Sequence, residues 1–165
     1  MPAPGPTRVP GIGRRLYARK PEVSRQVVAV YGKGRESAES EVVLYLRQGI
    51  GWHRAGSWPA HDGRRGWTLD HHEHDKRSPV GVFTLSAAGG TFADPGSRLP
   101  YDHDIYAYAS PREWPAAYRH DFGHVVAVDH NRVPGAPTPP RPPEARPGAA
   151  AYGCTWTTGA VPRSA

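Results

Sequence analysis

The chain has 165 residues, which is the length of one domain or slightly more. Apolar residues make up 38% of it, enough for a packed core, while 19 glycines and 19 prolines exclude an architecture of long helices. A net charge of +6 favours anionic partners such as cell-wall polymer. The basic residues are mostly scattered arginines, so no nucleic-acid partner is expected. No segment is apolar over the roughly 18 residues of a membrane span.

The amino-terminal segment combines proline, glycine and arginine without a period. Such a composition buries little apolar surface, and residues 1–24 are therefore predicted to form a disordered arm. Residues 1–20 also lack the apolar stretch of a signal peptide, so the chain as written is expected to be cytoplasmic.

Short apolar runs of strand length begin after Arg25 and are separated by glycine-containing turns. They predict a β-meander followed by three later strands. The runs are QVVAVYG (26–32), EVVLYLR (41–47), GWHRAGSWPA (51–60), SPVGVFTL (78–85), YDHDIYAYAS (101–110) and HVVAVDHN (124–131).

Helical signals are weak elsewhere in the chain. Residues 112–120 favour a turn or two of helix at most, because Pro115 lies inside the segment. Seven prolines between Pro134 and Gly148 favour extended conformations over packing. The pattern predicts a mainly β domain at 25–133, followed by a proline-rich tail at 134–165 that is disordered or aberrant.

Two groups of polar residues have the chemistry of functional sites. His71, His72, Glu73, His74 and Asp75 include zinc or nickel ligand types, but adjacent residues lack the spacing of a structural zinc site. No metal site and no cofactor are therefore predicted.

His124 and His130 flank another apolar run, and with Asp129 they could form a catalytic dyad. The alternative for these histidines is a hydrogen-bonded structural role at a strand edge. Cys154 is the single cysteine of the chain and thus its weak candidate for a nucleophile. No histidine follows Cys154 to serve as its base.

The middle of the chain resembles the L,D-transpeptidase catalytic-domain (YkuD-type) family, in particular its actinobacterial members. Residues 77–83, RSPVGVF, are similar to the family signature of threonine or serine, proline, any residue, glycine, any residue and phenylalanine. The order of the strands, of the Leu99-Pro100-Tyr101 loop and of the run at 124–131 is also similar. The resemblance covers about residues 26–134 and implies an L,D-transpeptidase-type, β-sandwich-like domain.

The resemblance implies cysteine-dependent acyl transfer. In the family a histidine acts as base, a cysteine thiolate attacks the amide carbonyl of a peptidoglycan stem peptide, and an acceptor amine resolves the acyl-enzyme into a cross-link. Family members are exported to the cell envelope. Here Gly153 and Cys154 keep the Gly-Cys pair, but no Leu-His precedes it and Thr155 replaces an apolar residue.

The departure at the carboxyl end predicts a carboxyl-terminally incomplete domain that is inactive as written. Back-translation of residues 152–158 with the codon boundary displaced by two bases permits Leu-Arg-Leu-His-Val-Asp, so a frameshift near the proline-rich stretch is one explanation. Natural divergence or truncation is the other. The expected partners are peptidoglycan stem peptides or an anionic cell-wall polymer, and a non-catalytic wall-binding module is the alternative function.

Overall fold

The computed structural model describes residues 5–110, 112–118, 120–130 and 134. Strands account for 36% of these residues and helices for 6%, so the predicted mainly β class is confirmed. The elements are helix α1 Arg14–Ala18 and strands β1 Gln26–Gly32, β2 Glu39–Gln48, β3 Gly51–His61, β4 Trp67–Thr68, β5 Ser78–Pro79, β6 Leu85–Gly90, β7 Tyr101–His103 and β8 Val125–Val128, with a 3₁₀ turn at Ala116–Tyr118. Within the described residues, no helix has the length and apolar character to cross a membrane.

Two compact units divide the chain between Val82 and Phe83. The described residues of the first unit are 5–82, and those of the second unit begin at Phe83. The sequence predicts one domain at 25–133. The boundary between the two units falls inside the RSPVGVF signature.

The first unit contains the predicted meander, a three-stranded antiparallel sheet in the order β1-β2-β3. The register pairs Val28 with Leu44 and Arg47 with Trp52. Alternating apolar residues of these strands point to one face and form a core of Ala29, Val43, Tyr45 and Trp52. The strand prediction is confirmed for all three runs.

Residues 5–24, predicted to be part of a disordered arm, pack against this sheet. Val9 is 1% exposed and belongs to the core cluster, against which Ile12 and Tyr17 also pack. The Trp52 backbone N–H donates to the Pro6 carbonyl at 2.8 Å, and the Trp52 indole donates to the Tyr17 hydroxyl at 3.0 Å. A few apolar side chains at separated positions therefore order a segment whose average composition is that of a disordered one.

The second unit contains a three-stranded sheet in the order β7-β6-β8, parallel between β6 and β7 and antiparallel between β6 and β8. The central strand, LSAAGG, consists largely of small residues. A Cβ atom at Gly89 would overlap the Tyr108 hydroxyl, and one at Gly90 would overlap the Gly123 carbonyl oxygen. These close approaches explain why the central strand lacks the β-branched residues that signal a strand in sequence.

The predicted strand at 78–85 is interrupted. Only Ser78–Pro79 forms a strand, β5, which pairs in parallel with β4. Strand pairing then resumes at Leu85, the first residue of β6. Pro79 has no backbone N–H to donate, and Gly81 contributes no side chain for packing, so the run does not continue as one strand. The predicted strand at 101–110 is likewise limited to Tyr101–His103, and the following residues form a turn.

Candidate functional site

Ser78, the hydroxyl residue of the RSPVGVF signature, lies in the interior of the first unit and is 2% exposed. Its Oγ accepts a hydrogen bond from the Gly63 backbone N–H at 2.8 Å, and its own backbone N–H donates to the Gly66 carbonyl at 2.8 Å. A Cβ atom at Gly63 would lie 2.5 Å from the carbonyl carbon of Arg77. The signature is therefore joined to residues 63–66 by contacts that require a hydroxyl at 78 and a glycine at 63.

Arg77 connects the signature to the loop between β1 and β2. Its two terminal nitrogens donate to the two carboxylate oxygens of Glu36, at 3.1 and 2.6 Å, in a bidentate pair. The hydrogen bond from Arg77 lowers the pKa of Glu36, and the Glu36 carboxylate raises the pKa of Arg77. Both groups are thus held in their charged forms.

The loop before the signature closes on the carboxylate of Asp75. Asp75 accepts hydrogen bonds from the backbone N–H groups of His72 at 3.0 Å and Arg77 at 2.7 Å, and it lies 3.1 Å from His71 Nδ1. Desolvation opposes the charged form of Asp75, but these hydrogen bonds outweigh it and lower its pKa. Asp75 stabilises the loop as a carboxylate.

The candidate metal-ligating histidines pair with three different carboxylates. His71 contacts Asp75, the exposed His72 lies 3.1 Å from an oxygen of Asp70, and the exposed His74 lies 3.6 Å from an oxygen of Glu73. Within the described part of the chain, no group of three or more histidine, cysteine or acidic residues is arranged to hold a metal ion.

The structure does not bring His124 and Asp129 into a dyad. They lie on either side of β8, about 16 Å apart by the rise of an extended strand. The Asp129 carboxylate accepts hydrogen bonds from the hydroxyls of Thr84 at 2.6 Å and Ser86 at 2.7 Å. His130 packs edge-on against Phe83, with ring centroids 5.1 Å apart.

His124 is instead oriented by Tyr101. The Tyr101 hydroxyl lies 2.9 Å from the Phe92 carbonyl oxygen and 2.9 Å from His124 Nδ1. Because a carbonyl oxygen only accepts, the hydroxyl proton goes to Phe92, and His124 Nδ1–H donates to the Tyr101 oxygen. Burial, with a smaller contribution from Asp94, raises the pKa of Tyr101 and keeps it protonated. Nε2 is the ring nitrogen of His124 that lies away from this hydrogen bond.

The sequence identifies His124 as a candidate, but not Tyr101 and Phe92 beside it. It also does not identify Glu36, the partner of Arg77. Tyr101 belongs to the Leu99-Pro100-Tyr101 loop and begins the predicted strand at 101–110, and no local pattern links it to a histidine 23 positions later. Cys154, the candidate nucleophile, lies outside the described residues, as do residues 135–165 of the proline-rich tail.

No protein-family model, curated protein or solved structure matches this chain.

Proposed function

We propose that this chain is of the L,D-transpeptidase type and binds peptidoglycan stem peptides. The observation that carries the proposal is the position of Ser78. The signature that the chain resembles requires serine or threonine at this place, and the buried hydroxyl of Ser78 accepts the Gly63 N–H there. A first unit whose three longest strands form a meander is also in keeping with the proposal.

The reaction implied by the resemblance needs a thiolate, a base and an oxyanion site. Cys154 is the one cysteine in the sequence and so the one residue able to form the thioester. The Leu-His segment that should precede it is not found in the sequence. We therefore propose that this chain does not complete acyl transfer, although it belongs to the same structural type.

The experiment is intact-protein mass spectrometry after incubation with a stem tetrapeptide or a carbapenem. We expect no covalent adduct on the wild-type chain beyond that of Cys154→Ala. A mass increase that Cys154→Ala abolishes would overturn the inactivity proposal. Saturation-transfer NMR with the same tetrapeptide tests the structural type, for which reversible binding is expected. Absence of both binding and acylation would contradict the assignment to the L,D-transpeptidase type.

A second candidate is a non-catalytic module that binds the anionic polymers of the cell wall. The observation that favours it is the uneven charge of the first unit, in which most basic side chains near the amino terminus are exposed. We expect purified cell wall to retain the chain, retention to survive Cys154→Ala, and salt to weaken it. Retention that is insensitive to salt would exclude a charge-based module.

A further inference from the structure

Residues 8–25 carry nearly all of the excess charge of the chain. They contain six basic residues and one acidic residue, a net charge of +5 where the whole sequence has +6. The basic residues are Arg8, Arg14, Arg15, Arg19, Lys20 and Arg25, all exposed except Lys20, which is half-buried. We call this set the amino-terminal basic segment.

The backbone of this segment is held in place by the sheet of the first unit. Val9 and Tyr17 pack on the core, and Lys20 Nζ lies 5.4 Å from the centre of the Tyr17 ring. Farther along, the Arg47 side chain donates to the Glu22 carbonyl at 3.0 Å and the Arg47 backbone N–H to the Arg25 carbonyl at 2.8 Å. The charges are therefore presented from an ordered segment rather than from a free tail.

The arginines of the segment lack anionic partners within the described part of the chain. The ion pairs of Lys33, Arg35, Arg54 and Arg77 involve glutamates elsewhere in the unit. Arg15 lies in α1, and Arg19 caps the carboxyl end of this helix with helical backbone angles. The two residues are four positions apart and so lie on the same side, where like charges repel. An anion bound between them would relieve this repulsion.

We propose that the amino-terminal basic segment binds a linear phosphodiester polymer without bases, of the poly(glycerol phosphate) kind. The proposal rests on the wall-binding candidate above and names its surface. Five of the six cations are arginine, whose planar guanidinium matches phosphate oxygens in a bidentate geometry. A polymer with one negative charge per repeat can neutralise several of these arginines at once.

Nucleic acid fits this surface less well. Proteins that bind single-stranded nucleic acid combine cations with exposed aromatic side chains on which bases stack. Tyr17 is the one aromatic residue in 8–25, and it is half-buried with its hydroxyl bonded to the Thr7 carbonyl and the Trp52 indole. The segment offers charge without a stacking surface.

The experiment titrates the full-length chain against fluorescently labelled poly(glycerol phosphate) at several salt concentrations. For Arg14→Gln/Arg15→Gln/Arg19→Gln we expect roughly a tenfold or larger loss of affinity at low salt. We also expect the slope of log affinity against log salt to fall by about 2, since each phosphate contact contributes about 0.7. The corresponding triple lysine variant should keep the slope and lose less affinity, because it retains the charge.

The matched control is Arg35→Gln/Arg64→Gln/Arg65→Gln, which removes the same charge from exposed residues. These residues lie near the end of the sheet where Gly32 pairs with Ser40. The substituted arginines at 14–19 flank Tyr17, which is bonded to Trp52 at the opposite end. The control should bind within about twofold of the wild type if contacts, not net charge, decide affinity. An equal loss in both triple variants would overturn the proposal.

Three further outcomes would also contradict the proposal. Tighter binding to a base-containing single strand of the same charge would replace the polymer with nucleic acid. No binding to poly(glycerol phosphate), with retention on whole cell wall intact, would reject this surface and ligand while leaving the wall-binding candidate standing. Absence of both poly(glycerol phosphate) binding and cell-wall retention would reject the wall-binding candidate itself.

Discussion

At the scale of single residues, the hydroxyl of Ser78 stabilises the signature. Ser78→Ala leaves the Gly63 N–H without its acceptor in the interior, which should cost about 1–3 kcal/mol of unfolding free energy. Ser78→Thr keeps the hydroxyl and should cost less. Urea unfolding measures the difference. The control is Ser37→Ala, whose Oγ accepts the Glu39 N–H in an exposed turn and whose loss should change stability by about 0.5 kcal/mol or less. Equal effects of both alanine variants would contradict this role for Ser78.

Two carboxylates of the first unit, those of Asp62 and Asp75, should change the free energy of unfolding in opposite directions as pH rises. Burial raises the pKa of Asp62 above its ordinary value near 3.8, against smaller opposing effects that include His61 and the Trp67 indole. As pH rises through this range the unfolded state loses its proton first, so Asp62 lowers stability at neutral pH. Relative to wild type, Asp62→Asn should therefore gain unfolding free energy as pH rises from below the ordinary pKa to neutral.

Asp75 provides the comparison of opposite sign. Its backbone hydrogen bonds overcome desolvation and hold its folded pKa below the ordinary value, so its contribution to stability is present above that value and is lost as pH falls. Asp75→Asn should be less stable than wild type at neutral pH, with a deficit that shrinks on acidification. Denaturant unfolding of both variants from acidic to neutral pH is the measurement. Slopes of the same sign for both variants would contradict these assignments.

At the scale of elements, regular strands could be predicted and the segments that pack on them could not. The runs of β1, β2 and β3 alternate apolar and polar residues, so their sheet follows from period and turn chemistry. β6 is not predicted because its glycines allow close contacts with Tyr108 and Gly123, and these contacts between distant residues leave no local pattern in the sequence. α1 was missed because residues 14–18 form one short helical turn in a segment with the composition of a disordered arm.

Substitution of two valines tests whether the amino-terminal segment packs against the sheet. Val9 is 1% exposed in the core, whereas Val23 is 87% exposed. Val9→Ala removes two buried methyl groups and should cost about 2 kcal/mol of unfolding free energy, while Val23→Ala should change it by about 0.5 kcal/mol or less. Urea unfolding of the two variants measures this difference. If Val9→Ala leaves the free energy of unfolding unchanged, the segment does not pack on the sheet and the disordered arm predicted from composition is the better description.

At the scale of the whole molecule, the candidate site residues are joined by contacts between distant parts of the sequence. Arg77 and Glu36 are 41 positions apart, and Tyr101 and His124 are 23 apart. The sequence shows Arg77 and His124, but their partners Glu36 and Tyr101 come close only because strand pairing brings distant loops together. Motif reasoning therefore located Ser78 and His124 without predicting the hydrogen bonds that determine their chemistry.

The second unit leaves an apolar strand at the edge of its sheet. β8 pairs with β6 on one side, no described strand pairs with its other side, and Val126 on this strand is 47% exposed. An unpaired edge with exposed apolar side chains favours association between copies of the chain. Val126→Lys should reduce concentration-dependent self-association in sedimentation velocity, with little change in unfolding free energy, because the side chain already lies at the surface.

The control for the edge strand is Ile50→Lys, which adds the same charge at an exposed hairpin turn of the first unit. It should leave self-association as in the wild type. If Ile50→Lys reduces association as much as Val126→Lys, added net charge rather than the β8 edge is responsible, since charge of one sign keeps copies apart wherever it is placed. If neither variant reduces association, the edge is not the surface through which copies of the chain meet.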